Sequence, residues 1–159
     1  MMDARGIARN RRFAEQGRDF SGLHYGTITP TDIDAVLEFK DRAFVFIEAK
    51  YQGVALPYGQ RLAIERLCDA CNEADRASLA LIVSHQTPPD RQVNYAACVV
   101  VKFRFRREWR VPKRHLLTRD AIDRFLEMAG LDYRREPIAR VADSQDEILR
   151  EWEREGLPF

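Results

Sequence analysis

Apolar positions along the chain fall into short runs and helical spacings rather than one long block. Ile33-Asp34-Ala35-Val36-Leu37-Glu38-Phe39 mixes branched and aromatic residues in a brief run, which predicts a strand. The polar Lys40-Asp41-Arg42 suits a hairpin connection, and Ala43-Phe44-Val45-Phe46-Ile47-Glu48-Ala49-Lys50 is apolar almost throughout, as in a strand covered on both faces. These two runs predict antiparallel neighbours. After a loop containing Gly53 and Pro57, the residues Ile64, Leu67, Cys68 and Cys71 recur at i, i+3, i+4 and i+7, one apolar helix face. Ala80-Leu81-Ile82-Val83 predicts a short buried strand ended by Thr87-Pro88-Pro89-Asp90. From Tyr95 a long strand is expected through Cys98-Val99-Val100-Val101, after which Phe103 and Phe105 alternate with Lys102, Arg104 and Arg106 to give one aromatic and one basic face.

Helices are expected at both ends as well. Residues 4–17 read as an arginine-rich helix, Thr118 as the N-cap of a helix with Ile122, Phe125, Leu126 and Ala129 on one face, and Gly130 as its stop. Ser144 and Glu147 have the spacing of a capping box, opening a last helix with Ile148, Leu149 and Trp152. The order of elements predicts an α/β fold, a mixed β-sheet flanked by helices. At 159 residues the chain has the length of one domain, here taken as 1–159 with a helical extension from about residue 118.

Composition narrows the class without naming a chemistry. Hydrophobic residues make up 45% and charged residues 32%, a globular balance. No apolar run approaches the roughly 20 residues of a membrane span, and the N-terminus lacks a signal-peptide core, so a cytoplasmic location is expected. Three cysteines, Cys68, Cys71 and Cys98, argue against a disulfide framework. Cys68 and Cys71 sit within a predicted helix, where packing explains them better than zinc or redox chemistry. With 26 basic and 25 acidic side chains, the net charge says nothing about partners, whereas its distribution does. Arg5, Arg9, Arg11, Arg12 and Arg18 cluster in 4–18, and Lys102, Arg104, Arg106, Arg107, Arg110, Lys113 and Arg114 cluster in 102–115, either as a phosphate-binding surface or as a solvated strand face.

The chemistry concentrates between Asp32 and Gln60. Glu48 and Lys50 are two apart on a strand and therefore share a face, yet that strand reads as buried. A carboxylate and an ammonium placed there cost several kcal/mol unless they pair or meet a metal. Asp34 and Glu48 flank the 40–42 turn at similar distances, so the hairpin brings two carboxylates together. Hard oxygen ligands at such a point suit Mg²⁺. Lys50 as an exposed edge lysine is the bland alternative. His24, His85 and His115 show no ligand spacing, and Tyr51, Tyr58 and Trp109 are read as packing before base stacking.

Asp34 with its apolar run, the turn, and Ile47-Glu48-Ala49-Lys50 followed by Leu56-Pro57-Tyr58-Gly59-Gln60-Arg61 resemble the signature of the PD-(D/E)XK nuclease superfamily, small phage-type members in particular. The resemblance covers residues 30–66 well and the remainder only in element order. It implies that Asp34, Glu48 and the backbone carbonyl of Ala49 ligate Mg²⁺ or Mn²⁺, that Lys50 orients the attacking water, and that Gln60 matches a glutamine used near the site. Glu15 would match an additional acidic residue of some subfamilies. Ile33 stands where the signature has proline. Asp32 shares a face with Asp34 if the strand is regular; Asp34 is preferred because the apolar strand begins directly after it. The resemblance implies a metal-dependent endonuclease or structure-selective nuclease of phage or mobile-element type acting on DNA, as a homodimer if the substrate is a junction. The alternative is a non-catalytic nucleic-acid- or protein-binding module on the same fold, such as a phage factor interfering with host machinery.

Overall fold

The computed structural model of the chain describes residues 19–131; the arginine-rich 4–18 segment, Glu15 and the expected helix opening at Ser144 lie outside them. His24–Tyr133 forms one compact unit. In it the chain runs through β1 (Ala35–Phe39), β2 (Ala43–Tyr51), α1 (Tyr58–Glu73), β3 (Ala77–His85), a 3-10 turn (Tyr95–Ala97), β4 (Val99–Phe105), β5 (Glu108–Arg110) and α2 (Thr118–Met128). The strands form one mixed sheet in the order β1-β2-β3-β4-β5, with β2 and β3 parallel and the other pairs antiparallel. The expected α/β class is therefore what the chain adopts. Among the described residues no helix is long and apolar enough to cross a membrane.

The hairpin forms where the polar triplet predicts it. Lys40 and Asp41 both take the left-handed backbone region, with φ of 51° and 57° and no glycine to ease it. Tertiary contacts hold them there: Asp41 is ion-paired to Arg76, and its backbone N–H donates to the Glu38 carboxylate. Strand period 2 then splits β2 between two cores. Val45 and Ile47 join Leu79, Leu81 and Val83 against Phe125 and Leu126 of α2, while Phe46 joins Ala80 against Ile64 and Cys68 of α1. With helices on both faces, β2 and β3 are buried along most of their length, the physical reason for their continuous apolar runs. β1 is different: it is an edge strand, and Val36 and Leu37 remain exposed.

Four expectations are corrected in detail. Leu67 is exposed, because α1 turns Gln60, Ile64 and Cys68 inward and leaves Leu67 at the margin of that stripe. Tyr95 begins a 3-10 turn rather than a strand: the Ala97 and Cys98 amides bond back to Asn94 and Tyr95, and β4 starts at Val99. Thr118 does not cap its helix; its hydroxyl donates 3.0 Å to the Cys98 carbonyl and ties α2 to the start of β4. Arg104, expected on a basic strand face, is buried and makes a two-point bond to Asp69 of α1, Nε to Oδ1 at 2.9 Å and a terminal nitrogen to Oδ2 at 2.7 Å.

That last pair holds the helix to the sheet, and it lowers the Asp69 carboxyl below its ordinary value, chiefly through the Arg104 hydrogen bond. Arg104→Ala leaves Asp69 with only the longer 3.9 Å contact to Arg107 and is expected to cost about 3 kcal/mol in urea denaturation. Since a lowered carboxyl stabilises the fold above its unfolded value, this contribution fades as pH falls through the lowered Asp69 value. Gly130, at φ +68°, ends α2 as expected, with the Leu131 amide returning to the Leu126 carbonyl. The cysteines are free, and Cys68 is buried against the Ser78 hydroxyl, its thiol pushed up to about 11 by burial.

Candidate active site

The register places the acidic residues. Ala35 pairs with Ile47, so the next rung beyond the end of β1 sets Asp34 beside Glu48 on the face that carries α1. Glu48 in turn pairs with Ile82, and Ile82 with Lys102, so one rung crosses the sheet from Asp34 to Lys102. Asp34 Oδ2 accepts the Ala49 backbone N–H at 2.7 Å, occupying the position that a longer β1 would fill. In an extended strand a residue's N–H and C=O leave on the same side, so the Ala49 carbonyl also faces the space beyond β1.

Glu48 is the centre of the arrangement. Its side chain is 2% exposed, and Oε1 accepts from Lys50 Nζ at 2.7 Å and from Gln60 Nε2 at 2.6 Å. Gln60, buried in the first turn of α1, also donates to the Asp32 carbonyl at 3.0 Å and accepts from Lys50 at 3.1 Å. One amide thus fastens the carboxylate, the ammonium and the segment leading into β1. Glu48 Oε2 is buried and has no hydrogen-bond partner. Burial raises the Glu48 carboxyl above its ordinary value, the Lys50 hydrogen bond opposes the rise, and the charge of Asp34 adds to it.

Asp34, Glu48, Lys50 and Gln60 are therefore brought together. The Asp34 carboxylate accepts the Ala49 amide and its charge acts on Glu48, and the Asp32 backbone carbonyl accepts from Gln60. Among the described residues no group of three or more His, Cys, Asp or Glu side chains gathers as a metal cluster. Two carboxylates and a strand carbonyl are what this site offers. They fit a hard divalent cation, since one buried carboxylate oxygen lacks a partner and a second carboxylate stands beside it. A buried unsatisfied oxygen of this kind costs about 1–3 kcal/mol or more, which a bound cation would offset.

Gln60→Ala removes a partner from Lys50, Glu48 and Asp32 at once. It is expected to lower stability by about 1–3 kcal/mol, read by urea denaturation, and to loosen the Lys50–Glu48 pair.

The basic stretch is dispersed rather than gathered. Arg104 faces α1, Arg107 meets Glu73 at 3.1 Å, Arg110 meets Glu108 at 2.7 Å, and Arg106 lies over the Phe105 ring. Lys113 and Arg114 are exposed beyond β5. Lys102 alone of the seven stands on the rung shared with Glu48. Trp109 packs against α1 and donates 3.0 Å to Glu65, Tyr51 meets the His85 ring edge-on, and Tyr58 lies under Arg61. His85 Nδ1 accepts the Thr87 N–H at 3.2 Å, while His24 and His115 are exposed.

Tyr95 was not foreseen as a residue under the influence of the acids. Its phenol is pushed up to about 12, first by burial and then by the negative charges of Asp34, Cys98 and Glu48. It stays protonated at working pH. Nothing local marks it in the sequence, because the charges of Asp34 and Glu48 reach Tyr95 only through the folded sheet. Comparison of the chain with protein-family models, with curated proteins and with solved structures returned no match.

Proposed function

We propose that the chain is a metal-dependent nuclease of the PD-(D/E)XK type, hydrolysing phosphodiester bonds of DNA. The observation that carries this reading is the buried Glu48 carboxylate, with one oxygen locked by Lys50 and Gln60 and the other unpartnered beside Asp34. Ordinary structural ion pairs do not leave a buried carboxylate oxygen unsatisfied next to a second acid.

Charge supports the reading. Asp34, Glu48 and Lys50 sum to one negative charge, which would repel a phosphodiester; adding a divalent cation reverses the sign. Asp34, Glu48 and the Ala49 carbonyl would hold Mg²⁺ or Mn²⁺, which supplies Lewis-acid stabilisation and a more acidic water. Lys50 has three N–H donors, of which Glu48 and Gln60 take two. The third can meet the attacking water or a phosphate oxygen and offset the charge that grows there. Gln60 fixes the ammonium so that this donor keeps its direction. A cytoplasmic location, and a homodimer should the substrate be a junction, accompany the reading.

The direct test is cleavage of a panel of junction, flap, single-stranded and duplex DNA. Activity is expected with Mg²⁺ or Mn²⁺ and none with EDTA. No cleavage of any form, together with no calorimetric Mn²⁺ binding, would favour a non-catalytic module.

A further inference from the structure

Beside Lys50 the surface carries a second feature, a recess of about 240 Å³ between the 53–56 loop, the start of α1 and β4. Three cations from three elements line it: Lys50 from β2, Arg61 from α1 and Lys102 from β4. None of its lining residues is acidic. Arg61 and Lys102 have aromatic neighbours, the Tyr58 ring at 5.4 Å and the Trp109 ring at 5.8 Å, but no ion pair among the described residues. Arg104 and Arg107, on or just after the same strand, do pair with acids. Two half-buried cations held without carboxylates at a concave point are an anion site in search of its anion.

The first turn of α1 adds to this, having no acidic residue and no side-chain cap on its amides. The rest of the recess is apolar. Val54 and Val101 are exposed branched side chains on its wall, with Leu56 between the loop and the helix. A cationic side together with an apolar side matches a phosphate joined to a sugar and a base better than it matches a simple ion. Lys102 is two strand spacings along the rung from Glu48, about 10 Å.

We propose that this recess binds one nucleotide of the polynucleotide through its phosphate, with Arg61 and Lys102 as the anion contacts and Val54, Leu56 and Val101 against the sugar and base. Its placement next to the reacting phosphodiester rests on the nuclease reading; its chemistry does not. The recess holds a single nucleotide unit, so the strand engaged there is unpaired at that position.

The test titrates deoxyadenosine 5′-monophosphate into the isotope-labelled full chain in EDTA, following backbone amide shifts. Saturable shifts are expected at residues 53–56 and 101–102. Inorganic phosphate and deoxyadenosine should each bind at least about tenfold more weakly, and Arg61→Ala combined with Lys102→Ala should weaken the nucleotide by at least about tenfold. Lys102→Arg should stay within about threefold of the parent, which separates lost charge from lost folding.

No saturable shift at these amides, equal affinity for inorganic phosphate, or unchanged affinity in the folded double variant would each overturn the proposal. Nucleotide binding in a protein that never cleaves would refute the nuclease reading and leave the recess standing. Metal-dependent cleavage without binding here would do the reverse.

Discussion

Glu48→Gln is expected to abolish cleavage, by about 10³-fold or more, in a protein that melts no lower than the parent at neutral pH. The two halves of this result have one cause. Burial raises the Glu48 carboxyl above its ordinary value, so folding disfavours its ionised form relative to the unfolded chain. A carboxyl raised on folding adds stability when protonated and withdraws it as pH rises through the raised value, which means that neutral pH is the unfavourable side. Glutamine keeps the shape and an acceptor oxygen for Lys50 while removing the desolvated charge. Activity would be lost because, on the proposed reading, that charge holds the divalent cation. Cleavage assays with thermal melts at matched pH decide the matter, and a folded Glu48→Gln protein that still cleaves would falsify the assignment.

The second large effect is a separation of binding from turnover at Lys50. Lys50→Ala should lower cleavage by about 10²–10³-fold while leaving Mn²⁺ affinity under mildly alkaline conditions unchanged or tighter, because a positive charge beside the ion has been removed. The acid side should move as well. Cation and proton compete for Glu48, so Mn²⁺ affinity in the parent rises with pH until Glu48 is fully ionised, then levels off. Lys50 is the principal group that opposes the rise of the Glu48 value. Without it the carboxyl holds its proton to higher pH, and the break in the affinity profile shifts upward. Calorimetric titration from about pH 5 to 8 measures both parts. A folded Lys50→Ala protein with parental cleavage, or an unmoved break, would contradict the roles given to this pair.

Much of this was legible along the chain because it is written in strand period. The continuous apolar run of 43–50 identified a doubly covered strand, and Glu48 and Lys50 stood out as charges that such a strand cannot carry without partners. The spacing of Asp34 about the 40–42 turn brought the second carboxylate to them, and Gln60 on the following helix completed the group. What local pattern could not reveal was the partner of each polar residue. Lys102, Arg104 and Arg106 alternate with phenylalanines as a solvated basic face would, yet Arg104 is buried because Asp69 and Glu65 of α1 lie over it. The difference between Arg104 and Lys102 is a matter of where α1 ends and the recess begins. Tyr95 and the left-handed Lys40-Asp41 turn were equally hidden, the one by long-range assembly and the other by the absence of glycine.

The unequal mounting of the two carboxylates bears on which ions the site accepts. Glu48 is buried between the sheet and α1, while Asp34 is exposed just before an edge strand and accepts the Ala49 amide. A cation held between a buried carboxylate and an exposed one would meet only one rigidly enclosed ligand, which suits metal–oxygen distances from about 2.0 Å for Mg²⁺ to about 2.5 Å for Ca²⁺. On the proposed reading, discrimination among divalent ions would then reside in turnover rather than in occupancy, and calcium would fill the gap while leaving the bond intact.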